Sequence, residues 1–219
     1  MIVLVLELVF IYFISRLVLK EIFLLLNKFT KRNNLIYSIV SLIYLPGTLA
    51  HEISHFITAL VLMLPVKKIS IFPIFEKNEI KLGSVEYVNR DFLRGIIVGI
   101  SPVIFGMLSI SLIFYYNIFP TDNFFLNLLL SYLIFSISSN MFSSKRDLND
   151  LFLAIPVFIA ILLIFYLLGM KIDLSFLVRN NNEIINVILK EINISLGLVF
   201  LINLSFLYIF RIVNIFFAK

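Results

Sequence analysis

Cysteine is absent from this chain, and histidine occurs only twice, at His51 and His55. Without cysteine there is no disulfide, no thiolate nucleophile and no cysteine-ligated zinc. Charge is scarce too: 14% of the 219 residues are Asp, Glu, Lys or Arg, against 61% apolar. A soluble domain has no use for that much apolar surface, so the long stretches with few charges read as membrane spans. Backbone groups in lipid need internal partners, which makes those spans helices. The net charge of +5 comes from Lys and Arg lying mostly between the apolar runs. That is the loop pattern of a membrane protein rather than a basic patch, so no nucleic-acid partner is expected. The opening MIVLVLELVF has no basic segment ahead of its apolar run, and it reads as an uncleaved span.

The expectation is an all-α polytopic membrane protein of one domain, residues 1–219, with about five or six transmembrane helices in the cell membrane. Span one covers 2–26 but carries Glu7, Arg16, Lys20 and Glu21, so it packs on protein or lies partly at the interface. Residues 35–64 stay apolar for thirty positions. A straight helix of that length would measure about 45 Å, beyond the ~30 Å hydrocarbon core. Pro46-Gly47 breaks it, which predicts a short piece over 35–45 and a new helix starting near Thr48, with Thr48 as its cap. Lys-rich loops on both sides of this segment cannot both lie inside unless it is re-entrant.

Residues 65–90 change period. Ile69, Ile71, Ile80 and Leu82 alternate around the polar turn Glu76-Lys77-Asn78-Glu79, the mark of one or two short hairpins at the membrane surface, with Pro73 keeping a strand at an edge. The next span, 92–116, contains GISPVIFG, where Gly99, Pro102 and Gly106 permit a kink and close helix contact. Residues 124–142 return across the membrane, SSKRDLND (143–150) is a polar junction, and spans near 151–170 and 193–217 complete the chain.

The two histidines stand four apart in HEISH, so on a helix they share one face and can offer two imidazole nitrogens to one ion. Glu52 follows the first of them. This is the His-Glu-x-x-His arrangement of zinc hydrolases, two ligands and a general base. A charged Glu inside a bilayer is costly and marks function. Catalytic zinc takes three protein ligands, and with no further His or Cys the third must be an acid. The candidates are Asp147, Asp150, Glu7, Asp122 and Asp173. The competing reading is a pair of structural histidines in a helix bundle.

HEISH in a membrane helix, a hairpin after it, GISPVIFG and a later Asn-to-Asp stretch together resemble site-2-protease-type intramembrane zinc metalloproteases, over residues 45–155. The resemblance implies a zinc endopeptidase in which His51 and His55 are ligands and Glu52 is the base. It makes Asn140 through Asp147 the counterpart of the family's N-x-x-P-x-x-x-L-D-G motif, with Asp147 the third ligand. The spacing here is one residue shorter, the motif's Pro and Gly are missing, and Asp150 stands in reserve. The implied substrate is a transmembrane or membrane-associated protein. Asn140 is expected to bond its backbone or orient a ligand, and the segment 66–88 to hold it along a strand edge. No stretch is long enough for a PDZ-like domain. The alternative is a non-catalytic membrane protein of the same fold with a structural or residual zinc site.

Overall fold

The computed structural model describes residues 2–70, 74–75, 80–81, 83–88, 91–142, 145–167 and 183–217. Seven helices account for most of them. Helix α1 (Ile2–Phe29) packs along the full-length partner α7 (Glu183–Phe216). Between these in sequence come α2 (Asn33–Ile43), α3 (Leu45–Val61), α4 (Phe92–Tyr115), α5 (Phe124–Asn140) and α6 (Lys145–Leu167).

The thirty-residue apolar run does break, but earlier than the sequence implied. Helix α2 ends at Ile43, and α3 begins at Leu45 at 72° to it. Pro46 sits in the first turn of α3, where a missing N–H costs nothing. Thr48 is therefore not the cap: it is already helical, and its hydroxyl donates to the Tyr44 carbonyl at 3.1 Å. The bent pair is either a broken span or a re-entrant loop, the geometry that would relieve the conflict between the flanking Lys-rich loops.

Helix α4 and the Leu189–Phe216 part of α7 are long and apolar enough to cross a membrane, and the bent pair raises the number to three. This is a membrane protein, with fewer clear spans than the five or six expected. Charges at Glu7, Arg16, Lys20 and Glu21 interrupt α1. The 17 residues of α5 reach only about 25 Å, short of the ~30 Å core. In α6 the apolar stretch is Phe152–Phe165, shorter again. Large apolar side chains are exposed on the outward faces, as at Phe10, Phe13, Leu108, Leu112 and Leu201.

The segment after α3 forms two small antiparallel ribbons. Strand β1 (Val66–Ser70) pairs with β4 (Ser84–Tyr87), and β2 (Ile74–Phe75) pairs with β3 (Ile80–Lys81). Lys68 stands opposite Glu86, a favourable cross-strand pair, with a bulge between Val66 and Lys68. Pro73, the Glu76–Glu79 turn, and Ile71 and Leu82 lie outside the described residues. The outer ribbon is tied to the helices by Ala59, Leu64 and Val98, against which Val66 and Tyr87 pack. Met63 makes the turn from α3 with φ 54°, and Leu64 N–H donates to the Ala59 carbonyl at 2.8 Å.

Two glycines let neighbouring helices touch at the backbone. A methyl on Gly47 would run into the Ser136 carbonyl of α5 and reach 2.5 Å from Asn140 Nδ2. A methyl on Gly99 would meet Asp150 of α6, 2.7 Å from its Cγ. Small residues of this kind set helix approach in lipid, where no hydrophobic force acts between helices.

Candidate metal centre

His51 and His55 lie in the second and third turns of α3, both buried, with their rings edge to face at 4.7 Å. Asp147 reaches them from α6. Its Oδ2 is 3.2 Å from His51 Nε2, its Oδ1 is 3.5 Å from His55 Nε2, and the two Nε2 atoms are 3.1 Å apart. These three residues form a group that can hold a metal ion.

The sequence placed Asp147 in a polar loop. It belongs instead to the first turn of α6, which begins at Lys145. Asp150, the reserve candidate, lies one turn further along and packs against Gly99 of α4. Glu7 lies across from Gly197 in the α1–α7 contact, Asp122 is in the exposed loop before α5, and Asp173 lies outside the described residues.

The orientation of the imidazoles follows from two backbone carbonyls. His51 Nδ1 donates to the Asn140 carbonyl at 2.8 Å, and His55 Nδ1 donates to the Val98 carbonyl at 2.9 Å. A carbonyl only accepts, so each Nδ1 carries a proton, and each ring turns its Nε2 toward Asp147; in the neutral ring that Nε2 is the nitrogen able to ligate a metal. Each carbonyl is available for a definite reason. Asn140 is the last residue of α5, where carbonyls have no intrahelical donor. Val98 stands four residues before Pro102, whose missing N–H would have been its helical donor. The Ser101 hydroxyl also donates to Val98 O, at 2.7 Å. The sequence signal was present in GISP, where the Pro falls four residues after Val98. It read as a kink and a packing site, and that it frees the Val98 carbonyl to accept from His55 was not foreseen.

Two imidazole nitrogens and a carboxylate thus converge, a donor set that could hold a cation between them. A tetrahedral ion about 2.0–2.1 Å from each ligand spaces the ligand atoms about 3.3 Å apart. The two Nε2 atoms, 3.1 Å apart, are close to that spacing, and taking one carboxylate oxygen of Asp147 the three ligand atoms all lie within 4.8 Å of one another. Asp147 lies ahead of the apolar stretch of α6.

Glu52 is buried beside the pair and is covered by the start of β4. A methyl on Gly83 would stand 2.7 Å from Glu52 Cγ and 2.9 Å from its Oε1, so only a glycine lets the strand backbone pass this close. Asn140, expected to touch substrate, is buried. Its side-chain amide donates to the Ser136 carbonyl at 2.9 Å, while its own carbonyl holds His51. It also lines a cavity beside His51, between α3, α4 and α5.

Comparison with known protein families, with curated proteins and with solved structures returns no match.

Proposed function

We propose that this chain is an intramembrane zinc metallopeptidase of the site-2-protease type, a multi-pass protein of the cell membrane that hydrolyses peptide bonds of membrane-spanning or membrane-associated proteins. In this reading α1, α5 and α6 also lie within the bilayer and complete the five or six spans. One observation carries the proposal: two Nε2 atoms, each on a ring held by a backbone carbonyl, face an Asp carboxylate with a buried Glu alongside. The donor set, two nitrogens and a carboxylate, suits catalytic zinc, which takes three protein ligands and keeps a fourth position open.

When bound, zinc supplies a Lewis acid and lowers the pKa of water. The chain's own residues do the rest. His51, His55 and Asp147 hold the ion. Glu52 takes the proton lost as the water oxygen bonds to the scissile carbonyl carbon, and passes it to the amine as the carbon–nitrogen bond breaks. The β1–β4 ribbon, whose backbone lies against Glu52, offers a strand edge on which an unwound substrate can lie extended. Asn140 contributes its position in the adjoining cavity.

The test uses the purified full chain and cells that express it. The expected result is one zinc per chain, retained in Glu52→Gln, and protein termini within membrane-spanning segments that appear with the native chain. In Glu52→Gln their rate should drop about 10²- to 10⁴-fold, as expected for loss of a general base. Zinc retained with cleavage unaffected by the substitution would make the site structural and overturn the peptidase reading.

A further inference from the structure

The cavity beside His51 exceeds anything the metal group needs. Its volume is about 190 Å³, and its lining is mostly apolar. The space exists because residues facing it are small: Gly47 and Ala50 on α3 and Gly106 on α4. Pro102 and Phe105 supply apolar walls, and His51 supplies another, so cavity and metal group share one imidazole. Ile53 also lines it and is 46% exposed, which opens the cavity onto the outer face of α3, where Ile57 and Leu60 are exposed as well. An apolar cavity of roughly 150 Å³ admits benzene. This one has room for a phenyl ring or a branched aliphatic group.

Resting on the peptidase reading above, we propose that this cavity is the specificity subsite: it takes a phenylalanine- or leucine-sized side chain of the substrate residue next to the scissile bond. Transmembrane segments are rich in such side chains, and the mouth at Ile53 faces the surface along which they approach. A charged side chain is rejected, because the described polar lining, His51, Ser109 and Asn140, holds no opposite charge. A glycine or alanine leaves the space unfilled and forfeits the burial. Gly106 lies over the unbranched Met141, whose Cε would stand 2.6 Å from a methyl there, so the wall at that point can adjust to the guest.

The experiment uses the zinc-loaded full chain in detergent micelles and two peptide hydroxamates that differ only in one side chain, benzyl or hydrogen, next to the chelating group. Binding is measured by calorimetry. The native protein should prefer the benzyl compound by about 10- to 100-fold, the worth of burying one large apolar side chain. Two cavity-filling variants on different helices, Ala50→Leu and Ser109→Leu, should each bring that ratio toward one while retaining zinc. Two variants are needed so that misfolding of one leaves the other to decide. Equal affinity of the native protein for both compounds, or a ratio that survives both fillings, assigns the cavity to a lipid chain or a packing void and overturns the subsite. A protein that holds zinc and binds the benzyl compound without preference keeps the peptidase reading. One that binds neither compound loses both.

Discussion

Replacing Pro102 by Ala should make the protein more stable and worse at holding metal. In α4 the Val98 carbonyl already accepts from His55 Nδ1 at 2.9 Å and from the Ser101 hydroxyl at 2.7 Å. A carbonyl has two lone pairs, so it is saturated. Alanine restores the backbone N–H that a regular helix would aim at Val98 O, which gives three donors for two lone pairs. Helix propensity favours the change by up to about 3 kcal/mol, so thermal unfolding in micelles should move upward. The backbone donor is fixed by the helix and wins over at least one side chain. When His55 loses its carbonyl, its tautomer and ring angle are no longer set, and loss of such an orienting partner weakens metal binding about 10- to 100-fold. The assay is zinc competition against a chromogenic chelator. Pro102→Ala with Ser101→Ala removes one competitor and should recover most of the affinity. A single variant that binds zinc as the native chain does, or a double variant no better than the single, would refute this account of His55.

Four further outcomes follow from the geometry. Gly99→Ala places a methyl 2.7 Å from Asp150 Cγ and forces α6 outward by at least about 0.7 Å to reach ordinary contact at 3.4 Å. Ligand sets tolerate only about 0.2 Å, so zinc content should fall, and Asp150→Gly in the same chain should restore it. Gly83→Ala crowds Glu52, so cleavage should fall with zinc retained, read by comparing metal content with product formation. Asp91 caps α4 by accepting from Arg94 N–H at 2.9 Å; Asp91→Ala should cost about 1 kcal/mol in thermal unfolding, with zinc unchanged. Met63→Gly should add about 0.5–1 kcal/mol, since this exposed residue has φ 54°, where a Cβ is strained.

The local half of the site was legible in the sequence because helical periodicity alone brings His51 and His55 onto one face and sets Glu52 beside them. From the residues alone the third candidate ligand was legible only as a short set of acids, from which the family resemblance singled out Asp147, the acid that the fold brings to the histidine pair. Choosing Asp147 over Asp150 depends on the rotation of α6 against α4, fixed where Gly99 admits Asp150, and nothing in SSKRDLND encodes that rotation by itself. The break in the apolar run was readable from Pro46-Gly47, but its position was set back three residues. Proline is favoured inside the first helical turn, so the helix starts before it. Fewer spans stand out in the structure than composition suggested, because apolar composition counts α1 and α5 alike, whereas charge placement and length distinguish them from α4.

What positions the centre is a set of exceptions to regular helix rather than a hydrophobic core. His51 is held by a carbonyl left over at the end of α5, and His55 by one left over at a proline inside α4. The carbonyl at Asn140 is within reach of α3 only because Gly47 lets α3 and α5 meet at the backbone, where the Gly47 N–H donates to Ser136 Oγ at 2.9 Å. Glycine, proline and helix ends are the places where a membrane helix exposes backbone polar groups, and in lipid those groups must find partners within the protein. Imidazole N–H groups satisfy them here, and the same bonds turn the Nε2 atoms toward Asp147. Any substitution that regularises these helices should therefore separate stability from metal affinity, raising the first while lowering the second.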